Sequence, residues 1–304
     1  MRLPVLLPIA LALTGLLCAP TARAFCRTTT SPVPSGYDPT QDGCWTQGMP
    51  LAWHASRVPY GVAAAASDQV SLADATRIAD EAFATWNAVS CPDGAPAVQA
   101  YDDGPISMVP DASDCSTSAG CNPQAHDVIV FDDQVWPHDD PANTLALTTV
   151  TFGVDDGAIF EAYTEVNSTP SHPLTTEEPP PAGSDAYDLQ AILTHEAGHF
   201  FGLAHAAADT SIMYAYYKPG KVDLTADDVA GFCAIYPQPA KSSGGCVTAP
   251  RATGAAGGSS GEGGGLMLAG MVLLTIVRRK ATRQAPSRRR CSRKNMSTES
   301  VSRV

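Results

Sequence analysis

Basic side chains are scarce over most of this chain and crowded at its end. Residues 25–277 hold seven Lys and Arg against thirty Asp and Glu, a net of −23, whereas residues 278–304 hold ten basic residues and one acid, Glu299. A body so poor in positive charge is excluded as a general nucleic-acid binder. Long apolar runs are also lacking: none reaches the ~20 residues that a spanning helix needs. Closely paired cysteines are absent too; none of the nine forms Cys-x-x-Cys, which argues against thiolate metal sites. No internal repeat is apparent. What remains is 304 residues of 44% hydrophobic content, ample for a core and too apolar for a disordered chain.

The two ends read as addresses. Arg2, the apolar run Leu3 to Leu17 and the Ala22-Arg23-Ala24 pattern make residues 1–24 a secretory signal with cleavage before Phe25. Lipidation at Cys18 is the alternative, disfavoured by the bulky Leu17 before it. Residues 238–265 read as a Gly/Ser-rich linker containing Cys246, residues 266–277 as an apolar segment, and residues 278–304 as a basic tail expected on the cytoplasmic side. Cysteine in a Gly/Ser linker, an apolar run and an Arg cluster resemble the sorting tails of myxobacterial surface proteins. That resemblance implies processing near the cysteine and retention at the cell surface; a short membrane anchor is the plainer alternative. Export implies an oxidising space and disulfides among Cys26, Cys44, Cys91, Cys115, Cys121 and Cys233. Short loops suggest Cys26–Cys44 and Cys115–Cys121, leaving Cys91–Cys233, although spacing leaves all fifteen pairings open.

Between the ends, residues 25–52 read as an extended N-terminal segment and 53–237 as one domain. A strand is expected near 57–62. Ser71 caps a predicted helix over 71–88, with Leu72, Ala75, Ile78, Ala79, Ala82, Phe83 and Trp86 on its core face. Strands are predicted at 127–131, 144–152 and 158–166, the last two joined by a turn at 155–157. A Pro-rich loop over 168–183 leads to a helix capped by Ser184 or Asp185 and ending near Gly202. A last helix begins near Thr225, with Asp227 and Asp228 in its first turn. This order predicts an α+β fold with a mixed sheet.

The chemistry concentrates in residues 195–205, HEAGHFFGLAH. His195 and His199 stand four apart, on one face of a helix, at a spacing that lets two imidazoles hold one tetrahedral ion at ~2.0–2.1 Å. Gly202 lets the chain leave the helix, so that His205 returns as the third ligand. Three protein ligands leave one coordination position for water, as in catalytic zinc sites. Glu196 lies beside that position and is the candidate base. Chance would place these five residues in such a chain on the order of once in a hundred thousand.

Ser211-Ile212-Met213-Tyr214 follows the third histidine. With it the chain resembles the metzincin metallopeptidases, and among them the matrixins. The resemblance covers roughly 53–237 and implies a metzincin-like α+β domain with a mixed, mostly parallel twisted sheet, an active-site helix and a C-terminal helix. It implies one catalytic zinc on His195, His199 and His205, with Glu196 as acid–base. Met213 is then the methionine beneath the metal, and Tyr214 and Tyr217 belong to the substrate pocket. An extended peptide would lie antiparallel to the strand at 144–152. The sequence departs from matrixins at Ala215, where they have proline, and at Leu147, where many have the histidine of a second, structural zinc. That second zinc is therefore not expected. Asp155 and Asp156 are a candidate calcium site, with an exposed acidic turn as the alternative. No PRCGxPD-type latency segment is found.

The leading expectation is therefore a secreted or surface-anchored monomeric zinc endopeptidase. It would act on protein or peptide substrates, touch the membrane through residues 266–277 before processing, and have no nucleic-acid partner. The alternatives are a surface-displayed binding module on a peptidase scaffold and a peptidase restricted to self-processing.

Overall fold

The computed structural model describes residues 25–107 and 127–238, together with the backbone of 293–298. The expected signal, Cys115 and Cys121, the linker from 239 onward and the apolar segment lie outside the described residues. Among the described residues no helix is long and apolar enough to cross a membrane.

One sheet organises the molecule. Its strands are β2 (Ala52–Trp53), β3 (Arg57–Val62), β4 (Gln99–Asp102), β5 (Val128–Asp132), β6 (Ala146–Gly153), β7 (Ala158–Asn167) and β11 (Arg293–Thr298). The order is β11-β6-β7-β5-β3-β4, with β2 also on β7. The pairs β3–β4, β3–β5, β5–β7 and β2–β7 are parallel, whereas β6 runs antiparallel to β7 and β11 antiparallel to β6. The sheet is thus mixed and mostly parallel within the 53–167 region. The predicted strands fall within a residue or two of those observed. Their β-branched and aromatic residues supply the buried face, with Val150, Phe152, Ile159 and Val166 all in the core.

Helix α2 (Leu72–Asn87) begins at the Ser71 cap, whose hydroxyl accepts from the Asp74 amide at 3.1 Å. Six of the seven residues expected on its inner face are buried, and Leu72 packs at the margin. Its last turn also fixes what lies next to it. The Trp86 indole donates to the Thr194 carbonyl at 2.8 Å, and the Asn87 amide bonds both backbone groups of Ala100 on β4.

Helix α3 (Leu189–Phe200) starts later than the sequence suggests. Ser184 and Asp185 do not cap it, because Tyr187–Asp188 (β9) is still extended and pairs with Leu174–Thr175 (β8). Asp188 is the cap instead, its Oδ1 accepting from the Gln190 and Ala191 amides at 2.9 and 3.2 Å. Helix α4 (Ala226–Ile235) closes the domain with a Thr225/Asp228 capping box.

The N-terminal segment belongs to the same body. Its strand β1 (Cys26–Arg27) pairs with β10 (Leu203–Ala204), Leu51 is fully buried, and the Trp53 indole donates to the Phe200 carbonyl at 2.7 Å. A short helix, α1 (Pro39–Asp42), interrupts the extended run. Two disulfides close within the described residues, Cys26–Cys44 and Cys91–Cys233.

Candidate metal centre

All three histidines converge. His195 and His199 project from α3, which ends at Phe200 with Phe201 as its C-cap. Gly202 then adopts φ +88°, where a β-carbon would stand 2.7 Å from the Leu51 carbonyl oxygen, so glycine meets both the turn and the contact. After β10 the chain delivers His205. Ring centroids are 4.8 Å apart for His195–His199 and His199–His205 and 5.3 Å for His195–His205, and one ring nitrogen from each lies within 4.8 Å of the others.

The hydrogen bonds fix which nitrogen faces inward. His195 Nδ1 lies 2.7 Å from the Ile212 carbonyl oxygen and His199 Nδ1 lies 2.9 Å from that of Leu203. A carbonyl only accepts, so both Nδ1 atoms carry the proton and both Nε2 atoms present lone pairs. Those two Nε2 atoms are 3.1 Å apart. Lone pairs held so close repel unless a cation lies between them. Two ligands at ~2.0–2.1 Å on a tetrahedral ion stand ~3.3 Å apart. Burial keeps the rings neutral, as metal ligation requires: desolvation lowers His195 to about 4, and desolvation with the neighbouring His195 lowers His199 to about 3. The residues present therefore fit zinc.

Glu196 is almost wholly buried, and its Oε2 accepts from the Thr148 hydroxyl at 2.6 Å. Thr148 in turn lies 2.9 Å from the Thr164 hydroxyl. Strand β6 thus holds the carboxylate from the sheet side, a contact that spacing in the sequence did not reveal.

Met213 sits beneath the histidines, 2% exposed. Its sulfur lies 2.2 Å from where a β-carbon on Gly198 would stand, and the Trp86 ring 2.9 Å. Glycine in mid-helix costs roughly 1 kcal/mol relative to alanine, so Gly198 between two histidines was a readable sign of close packing. The loop carrying Met213 is tied down by buried Asp228. Its carboxylate accepts from the Ser211 hydroxyl, the Ile212 amide at 3.1 Å, and the Thr225 amide and hydroxyl at 2.8 and 2.6 Å. The sequence marked Asp228 only as a helix-terminal acid; its longer-range bonds cross 16 or 17 residues.

Beside His195 opens a pocket with Ala191, Ile192, Tyr214 and Tyr217 among its walls. Tyr217 is held by the Asp188 amide, which donates to its hydroxyl at 2.7 Å, and burial raises that phenol to about 12. Burial likewise raises Asp188, partly opposed by its bonds from the Ala191, Gly220 and Gln190 amides. The expected pocket tyrosines, the methionine, Glu196 and the three histidines are therefore brought to one place. Away from it, Asp156 accepts from the Ala158 amide at 3.1 Å within its turn, and His138 pairs with Glu165 at 2.9 Å.

Comparison with known proteins agrees with this geometry. Residues 118–237 match the Matrixin family of peptidases. Metalloendoproteinase 1-MMP of Arabidopsis thaliana is 47% identical over 53 residues, covering 17% of this chain and 15% of that protein. A probable matrix metalloproteinase, 095L, of Invertebrate iridescent virus 3 is 43% identical over 54 residues, covering 18% and 15%. Matrix metalloproteinase-20 of Homo sapiens is 39% identical over 57 residues, covering 18% and 12%. The matched stretches span less than a fifth of each relative. Together with the sheet topology and the histidine triad, these matches support a matrixin-like zinc metallopeptidase domain with an α+β metzincin fold.

Proposed function

We propose that the chain is an exported, secreted or surface-anchored zinc endopeptidase in which Glu196 is the acid–base group. The observation that carries this reading is the pair of inward lone pairs on His195 and His199 at 3.1 Å, with His205 beside them and a buried carboxylate on the same helix. Zinc held there would supply Lewis acidity and lower the pKa of a bound water to ≈ 7. The protein's own contribution is to position and move protons. Glu196 takes a proton as water attacks the scissile carbonyl and returns it to the leaving amine. The Thr148 hydroxyl keeps the carboxylate oriented. Strand β6 offers its backbone to an extended peptide, and the pocket beside His195 receives the next side chain.

The test pairs chemistry with metal content. Glu196→Gln is expected to keep stoichiometric zinc and to lose at least about 10²-fold in kcat/KM, the scale of general acid–base catalysis. Cleavage by the unaltered chain is expected to stop on chelation. Undiminished cleavage by the Gln variant would remove Glu196 from its role; zinc binding without cleavage of any peptide would favour a binding module.

A narrower reading, a peptidase directed at its own chain, draws on one observation. The backbone of 293–298 already lies antiparallel along β6, from Arg293 opposite Gly153 to Thr298 opposite Thr148.

A further inference from the structure

The body of this protein is strongly acidic, yet its few lysines are not scattered. Residues 25–238 contain only two, Lys218 and Lys221, and both line the pocket beside His195. The three arginines of that span are engaged elsewhere. Arg27 reaches the Leu51 carbonyl, Arg57 lies over the Tyr101 ring, and Arg77 pairs with Glu81 and Asp74. The pocket therefore concentrates positive charge within residues 25–238, where the other basic groups are three arginines.

Only one of the two ammonium groups is in an ion pair among the described residues. Lys218 pairs with the Asp209 carboxylate at 3.0 Å and stands over the Tyr214 ring at 5.0 Å. Lys218 and Lys221 both donate to the Asp209 carbonyl oxygen, at 2.7 and 3.1 Å, so the two ammonium groups are neighbours. Among the described residues no carboxylate closes an ion pair with Lys221. Other acids stand near this wall without pairing with Lys221: Asp228 accepts four bonds within the methionine loop, Asp188 caps α3 and accepts from the Gly220 amide, and Glu178 Oε1 lies 3.6 Å from where a β-carbon on Gly220 would stand. Burial, and after it the neighbouring Lys218, lower the Lys221 ammonium, against the opposing pull of Asp228 and Asp209.

We infer that this pocket selects an acidic side chain, glutamate or aspartate, at the residue immediately after the scissile bond, with Lys221 as the specificity-determining group and Lys218 supporting it. The inference rests on the peptidase reading above and adds the substrate class. Ala191 and Ile192 give the side chain's methylenes an apolar wall, and the carboxylate gives Lys221 a direct ion-pair partner. At long range the negative body still repels anionic polypeptides. The predicted substrate is therefore one acidic residue in a neutral or basic surround, not an acidic stretch.

The experiment uses the full chain with disulfides closed and zinc supplied. A series of quenched peptides carries Glu, Gln, Leu or Lys at the residue after the cleaved bond, with each cut located by mass spectrometry. Glutamate is expected to exceed glutamine by about tenfold in kcat/KM at low salt, the advantage shrinking as salt screens the pair. Lys221→Glu is expected to invert the order so that lysine exceeds glutamine, and Lys221→Arg to retain the glutamate preference. Equal cleavage of the Glu and Gln peptides, or an order unmoved by Lys221→Glu, would overturn the inference. Should no peptide be cut, the peptidase reading fails, and fluorescence anisotropy of labelled peptides beginning with Glu or Gln decides the pocket separately. Tenfold tighter binding of the Glu peptide, lost in Lys221→Glu, would uphold its acid selectivity; equal affinity would end it.

Discussion

Met213 and Gly198 pack directly on one another: the methionine sulfur occupies space that any β-carbon at residue 198 would need, at 2.2 Å. The helix carrying His195 and His199 can therefore settle onto the loop beneath it only because residue 198 has no side chain. Gly198→Ala gains intrinsic helix propensity of roughly 1 kcal/mol, yet pushes Met213, which is 2% exposed, and the Trp86 ring. Overpacking of this kind costs about 1–3 kcal/mol. The expected result is a lower urea midpoint and weaker zinc retention, partly restored by adding Met213→Ala. A variant more stable than the parent would show that the loop yields easily.

Thr148 is expected to position Glu196. Its hydroxyl donates to the Glu196 carboxylate at 2.6 Å. Thr148→Val removes that donor at nearly constant shape. Activity should then fall by about tenfold in kcat/KM, the effect of one charge-assisted hydrogen bond, with zinc content unchanged. Thr148→Ser, which keeps a hydroxyl, should retain most of the activity, and steady-state kinetics of the two variants measure the difference.

The zinc-free protein should weaken as pH falls. His195 and His199 titrate at about 4 and about 3 when folded, below the ordinary value of 6.5. Between those limits the unfolded chain binds protons that the native state refuses, so stability rises with pH, by about 1.4 kcal/mol per pH unit for each histidine at the steepest. Buried Asp127, held well above its usual range by desolvation, acts in the opposite sense. Urea unfolding of chelated protein from pH 7 down to pH 5, compared with His199→Gln, isolates the histidine share because Asp127 is common to both. The parent should show the steeper loss.

A chain ending at residue 238 should take up extended peptides more readily than the full chain. A substrate seated along β6 has to displace the backbone of 293–298, which holds that edge. The truncated form is expected to have the lower KM, and a synthetic peptide spanning 291–300 should inhibit it. Equal KM values and no inhibition would mean that the pairing does not compete with substrate.

What could be read in advance was the part written at short range. The histidines, Glu196 and Gly202 fall within eleven residues, and helix geometry turns that spacing into a shared point in space. Met213 follows eight residues on. The buried face of α2 and the long strands were legible for the same reason, since one repeating period identifies each. Thr148, Thr164 and Asp228 were not legible. They reach the site across the sheet or from another helix, and no local pattern records which strand will lie beside Glu196. The true start of α3 was missed because Asp188 and Asp185 are equivalent as caps. Only the pairing of Tyr187–Asp188 with Leu174–Thr175 keeps the chain extended past Asp185. The pocket lysines were visible only as two positive charges in a negative total.

The Cys91–Cys233 bond joins residues 142 apart, so it encircles all three histidines, Glu196 and Met213. A peptidase of the proposed kind would meet copies of itself, and residues 176–179 and 181–183 of the Pro-rich loop are exposed. A single nick there opens the backbone without freeing a fragment, because both new ends stay tethered through the ring. Self-digestion would then leave a gapped but undivided molecule, with its metal ligands still borne by one covalent body.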